Sequence, residues 1–228
     1  MPSSRDAILN KLRSARRPFA DAPPRPASYL NVTVQDDESS DALLERFKRE
    51  LGALTGEVFP VRGAAAARKK VLQLLGQHEA KRILAWDFAH IPVDGLEAAI
   101  RDAGIEIIQP DARDEFRMET LNASAGAQVG LTGADAAAAT TGTLVFTTAP
   151  GKGRIPTVLA PVHIVVITLN QIVPRLESWV AAQRASGLPL RQSANFCFIT
   201  GPSRTGDIEM QMILGVHGPG KIQVVVKR

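Results

Sequence analysis

The chain has 228 residues, 45% of them apolar and 22% charged, with a formal net charge of +4. That length holds one large domain, or a domain with an N-terminal arm, and can bury a substantial core. Basic residues are dispersed among acids, and there are one Tyr and two Trp, so neither a phosphate-tracking stripe nor a base-stacking platform is evident. The single cysteine, Cys197, excludes an internal disulfide and a conventional all-cysteine iron–sulfur cluster, which takes about four thiolates. Its setting, Phe196-Cys197-Phe198-Ile199, reads as a buried strand. Apolar runs such as Val162 to Leu169 are far short of the ~20 residues that cross a bilayer. The pair Arg16-Arg17 is followed by no apolar stretch, so a twin-arginine export signal is rejected and a cytoplasmic location is expected.

In chain order, residues 3–15 predict a short helix capped by Ser3 or Ser4, with Ile8, Leu9 and Leu12 on one face. Residues 18–35 carry Pro18, Pro23, Pro24 and Pro26 and read as an extended arm. Residues 1–36 thus form a helix and arm, and 37–228 the main domain. Ser40-Asp41 is expected to cap a helix through Leu51, striped by Leu43, Leu44, Phe47 and Leu51. A strand at 57–59, a helix at 64–77 and a strand at 82–86 follow. Asp94 is expected to cap a helix over Leu96 to Ala103 that Gly104 stops, before a strand at 105–108 and a helix at 112–123. Strands alternating with helices of this length imply βαβ units and a largely parallel sheet.

The rhythm changes at Gln128. The segments 129–136, 143–147 and 162–168 lie close together with little helix between them, and predict adjacent, partly antiparallel strands inserted into the frame. The alanine-rich 134–139 are read as strand. Helices at 172–185 and 207–214 and strands at 195–200 and 221–227 complete the order.

Glycine loops carry the candidate chemistry. Thr141-Gly142-Thr143 is a hydroxyl-glycine-hydroxyl turn able to donate N–H and O–H groups to a carboxylate or phosphate. It is equally compatible with a ligand-free bulge. Lys152 and Arg154 flank Gly153 in what reads as a long mobile loop; Arg154 can clamp a carboxylate or simply be solvated. Gly201-Pro202-Ser203-Arg204-Thr205-Gly206 has the spacer of a P-loop, but Asp207 stands where lysine is required. Arg204 is expected at the entry of a helix, with Ser203 and Thr205 as hydroxyl donors, Asp207 as its cap and Glu209 as a further possible partner. His163 begins an apolar run and His217 sits in a sharp turn. Each fits a structural histidine or an acid–base group. No histidine or cysteine spacing suggests a metal site.

The three segments GADAAAATTGTLVF, GRIPTVLAPVH and GPSRTGDIE followed by GVHGPG, in this order and at these separations, resemble the lactate-utilization protein C family, the small LUD-domain proteins. The resemblance covers most of the chain and is densest from Gly130 onward. It implies an α/β fold, a three-layer α/β/α sandwich with a mostly parallel sheet and inserted antiparallel strands, of the sugar-phosphate isomerase and CoA-transferase type. It also implies an accessory role in oxidising L-lactate to pyruvate, with iron–sulfur protein partners supplying the clusters and no cofactor bound by this chain. Members usually carry a glutamate immediately before the hydroxyl-glycine-hydroxyl motif; here the position is Thr140, which lowers the expectation of independent catalysis. The readings carried forward are that accessory role, an enzyme acting on a sugar phosphate or CoA ester, and an organic-acid-binding sensor or scaffold. The expected ligand site is one anion-binding cleft at strand ends formed by Thr141, Gly142, Thr143, Arg154, His163, Ser203, Arg204, Thr205 and His217.

Overall fold

The computed structural model describes residues 4–15, 37–110, 114–187, 192–206 and 212–228. The chain divides into two units, Met1–Asp36 and Asp37–Arg228. In the first, helix α1 (Ser4–Ala15) has Asp6 in its first turn and Arg13 in its last, as the helix dipole favours. Leu9 is half-buried, while Ile8 and Leu12 are exposed. The proline-rich arm expected over 18–35 lies outside the described residues.

The second unit is built on a six-stranded sheet in which every neighbouring pair is parallel. Its strands are β1 (Glu57–Val61), β2 (Arg82–Ala85), β3 (Glu106–Ile108), β4 (Val129–Thr132), β7 (Val162–Thr168) and β12 (Lys221–Lys227), in the order β1-β12-β7-β4-β2-β3. Residues 163–167 and 222–226 are buried without alternation, because the sheet is covered on both faces. On one face, Gln223 of β12 meets His78 at the end of helix α3 (Gly63–Gln77), 2.8 Å from Oε1 to Nε2. Gln223 also donates to Glu57 at 2.9 Å, and Lys221 pairs with Glu57 at 3.0 Å. Burial opposes ionisation of the Glu57 carboxyl, but Gln223 and Lys221 outweigh it and hold the pKa below its usual value.

The other face carries helix α2 (Ser40–Ala53), the short α6 (Ile155–Val158) and a second sheet. That sheet comprises β5 (Ala136–Ala138), β6 (Thr143–Thr147), β8 (Ile172–Val173) and β9 (Phe196–Thr200), in the order β8-β5-β6-β9. The pairs β5–β6 and β6–β9 are antiparallel. The inserted strands therefore form a layer of their own. Of the segments expected to insert together, 143–147 does so, while Val129–Thr132 and Val162–Thr168 join the parallel sheet as direct neighbours. The alanines of β5 form a strand because they are wholly buried, with Ala136 against Trp179 of helix α7 (Leu176–Ala185). Packing and pairing there override the helix preference of alanine.

Other boundaries shift for local reasons. Ser39, not Ser40 or Asp41, caps α2, its hydroxyl accepting from the Ala42 amide. Helix α4 (Leu96–Asp102) starts from Gly95 in a left-handed conformation rather than from an Asp94 cap. Gly104 does end it: the Gly104 and Ile105 amides bond back to Arg101 and Ile100. Helix α5 spans Arg117–Ser124. Pro174 separates β8 from α7, so 172–185 is not one helix. The helix expected over 207–214 is replaced at its described end by strand β11 (Met212–Leu214), antiparallel to β10 (Arg204–Gly206); residues 207–211 lie outside the described residues. Among the described residues no helix is long and apolar enough to cross a membrane.

Helix α6 meets the parallel sheet backbone to backbone at Gly130, in β4. A Cβ there would run into the Pro156 carbonyl of α6. Both contacting groups are main chain, so neither can rotate away. Gly130→Ala should therefore cost about 3 kcal/mol or more in urea denaturation, the upper range for an overpacked core.

Candidate functional site

The structure distributes the expected site residues around three places. The first is the carboxyl end of α2, whose last turn has no basic residue of its own. Gly142, at φ +63°, lies against the Leu51 backbone, and Gly201, at φ +80°, against Leu54. Side chains are excluded at both positions by contact and by conformation. Arg204 Nη2 donates to the Leu54 carbonyl at 2.6 Å. It thus supplies the cation that the helix end lacks, from a strand and not from a loop entering a helix. The hydroxyls of the neighbouring turn satisfy one another: Thr141 and Thr143 are 2.7 Å apart, and Thr143 and Thr200 2.8 Å. Thr205 follows Arg204 in β10, opposite Ile213.

The second place is interior. His163 is fully buried, its Nε2 2.8 Å from the Thr132 hydroxyl and its ring 5.6 Å from that of Phe146. Nδ1 has no partner. We assign the proton to Nε2, which leaves only a lone pair stranded at Nδ1 rather than an N–H. Burial alone pushes the imidazole pKa down to about 3.

Beside it, the loop read as mobile and solvated is pinned. Lys152 is buried; its ammonium meets Asp135 at 2.6 Å and lies 5.0 Å from the centre of the Trp86 ring. Asp135 also accepts from the Thr147 amide at 2.6 Å, and Trp86 Nε1 donates to the Gly153 carbonyl at 2.7 Å. The Asp87 amide bonds Gly151. Lys152 is an anchor, whereas Arg154 is exposed. Cys197 is half-buried; burial raises its thiol pKa more than the Arg154 charge lowers it, so the thiol is a poor nucleophile.

The third place is a cleft of about 250 Å³ between α6, β9 and the segment leading into β12. Val158, Phe198, Ile199 and Ile222 give it apolar walls, and Thr157, Thr200, Ser203 and His217 give it polar groups. The cleft is shaped by Ser203, whose amide donates to Pro219 and whose carbonyl accepts from Gly215. It opens at the amino ends of β7 and β12, where Gly220 donates to Pro161, and not at the carboxyl ends of the parallel strands. Of the expected site residues, Ser203 and His217 line it; Thr141, Gly142, Thr143, Arg154, His163, Arg204 and Thr205 do not. Thr157 and Thr200 were not singled out from the sequence, since an isolated threonine beside a strand carries no signal. A larger groove of about 610 Å³ follows Phe88–Arg101 alone, and its Glu97 and Arg101 are paired with each other.

The LUD domain model matches residues 44–226, and the chain belongs to the LUD domain family. It is 29% identical to the "Lactate utilization protein C" of Geobacillus sp. (strain WCH70), over 96% of this chain and 92% of that protein. It is 28% identical to the protein of the same name from Halalkalibacterium halodurans, over 96% and 95%. Among solved structures, a DUF162 family protein from Deinococcus radiodurans superposes with a TM-score of 0.62 at 24% identity, covering 84% of this chain and all of that one. This likeness shows that the fold is shared.

Two outcomes follow from the geometry. The His163 pKa is lower folded than unfolded, so the unfolded chain binds the extra proton between about pH 6.5 and 3. Stability contributed by this group is complete above that window and is lost as pH falls through it. Denaturation at pH 7 and pH 5 should differ by on the order of 2 kcal/mol from this group, and His163→Gln should remove that part of the difference. Arg204→Ala should lower stability by about 1 kcal/mol, through the lost helix-end contact, while leaving ligand binding in the cleft unchanged by calorimetry.

Proposed function

We propose that the chain serves lactate utilization as a non-redox accessory subunit of a system that oxidises L-lactate to pyruvate, and that it contributes a binding site for a small anionic ligand. The observation that carries this reading is the family match across 44–226, joined to relatives named Lactate utilization protein C that align over nearly their whole length. In this reading the electron carriers are iron–sulfur partner proteins. One cysteine does not fit a conventional cluster, and no dinucleotide-binding glycine fingerprint is present in the sequence. A cytoplasmic location goes with the role.

The ligand is assigned to the 250 Å³ cleft. That volume lies below the roughly 300–1,000 Å³ of sites for drug-sized molecules, and suits a hydroxy acid of a few carbons better than a nucleotide or CoA ester. Ser203 and His217 offer hydrogen bonds to a carboxylate and hydroxyl, and Ile199 and Ile222 receive a methyl group. The lining has no lysine or arginine, which disfavours a phosphorylated substrate.

Deleting the gene should abolish growth on L-lactate, with the wild-type chain restoring it. Ser203→Ala and His217→Ala should each weaken binding of L-lactate or pyruvate by roughly five- to tenfold in calorimetry, the value of one hydrogen bond. The isolated chain should reduce no dye with lactate. Normal growth of the deletion strain would count against the accessory role, and binding unaffected by both substitutions would count against the cleft.

A further inference from the structure

Among the described residues, β9 pairs on one side only, with β6. Two hydrogen bonds fix which way its backbone points. The Thr148 amide donates to Asn195, and the Val145 carbonyl accepts from Asp135 on the far side of β6. Alternation then turns the backbone groups of Cys197 and Ile199 toward β6, and those of Phe196, Phe198 and Thr200 toward the open edge. Nothing along Phe196–Thr200 discourages pairing there: the strand has no lysine, proline, bulge or charge.

The flank of this edge is apolar. Phe196 and Phe198 are 48% and 44% exposed, with their rings 5.7 Å apart. Phe198 shares the cleft with Val158, which is 51% exposed, and with His217, next to the half-exposed Val216. Leu159 and all of Met212–Leu214 are similarly exposed. At roughly 80–100 Å² for each half-exposed large side chain, Phe196, Phe198, Val158 and Val216 amount to on the order of 350 Å². That matches the largest apolar patch of an ordinary monomer, the kind that is often an interaction surface.

We infer that this face is a twofold interface with a second copy of the chain, formed by antiparallel pairing of the two β9 strands. An antiparallel edge is its own complement. A twofold axis at Phe198 sets Phe196 of one copy opposite Thr200 of the other, and each free N–H meets a free carbonyl. The uncharged strand opposes no like charges, and the exposed Phe196 and Phe198 rings of the two copies cover one another.

The test is the mass of the full chain by analytical ultracentrifugation across concentration, with amide exchange followed at Phe196, Phe198 and Thr200. A dimer is expected, with those amides exchanging more slowly as concentration rises. Phe196→Lys/Phe198→Lys should raise the dimer dissociation constant by about tenfold or more. Phe116→Lys, at an exposed apolar residue elsewhere, should leave it unchanged. Both variants change exposed side chains, and an unaltered melting curve would certify their folds. A chain that is monomeric throughout overturns the inference. So does a dimer that tolerates the double substitution, or one whose β9 amides exchange independently of concentration.

Discussion

Helix α6 is held against the parallel sheet where main chain touches main chain, at Gly130 and the Pro156 carbonyl. The loop before α6 and one wall of the cleft depend on that approach. Because α6 lies so close to β4, Gly153 can reach Trp86 and Lys152 can reach Asp135. Phe146 of the second layer comes within ring contact of His163 in the first. Thr157 and Val158 are carried to one wall of the cleft by the same short helix. A bulkier residue at 130 would move this assembly as a block, since an ion pair, an indole and a buried imidazole tie it together.

The parallel frame was legible in the sequence because its signals are local. Stripes such as Leu43, Leu44, Phe47 and Leu51, and continuous runs such as Val162–Thr168, announce elements whatever their partners are. Gly104 announces a helix end because only its backbone conformation is needed there. Less was legible where an element is decided from a distance. Ala136–Ala138, correctly read as strand against alanine's helix preference, owes that conformation to Val145 and Trp179; the pairing partners were not legible. The chain after Gly206 has helix-like spacing, yet Met212–Leu214 pairs with Arg204–Gly206.

The site residues follow the same division. Glycine, threonine and arginine in a loop are what an anion site requires, and also what close packing onto a helix end requires. Sequence shows the residue types but not what the loop lies against. Here Gly142, Gly201 and Arg204 converge on Leu51 and Leu54 at the end of α2, a contact 150 residues apart in the case of Arg204. The Lys152 loop illustrates the same limit. A lysine between glycines looks solvated until Asp135 and Trp86 are placed around it. Ser203 and His217 remain in the open because their neighbours are the turns Gly215 and Gly218-Pro219-Gly220 rather than a helix.

The position of β12 sets a condition on synthesis. It lies between β1 and β7, in register with both from Gln223 to Lys227. Until residues 221–227 have left the ribosome, β1 has no described neighbour in the sheet and β7 has an open edge. Hydrophobic strands already made must then wait, exposed to wrong pairings, for a segment translated more than 150 residues after β1. At roughly 5–20 residues per second, that delay is on the order of ten seconds or more. The chain therefore favours holding factors early in its synthesis and rapid closure late, a demand imposed by strand order and not by composition.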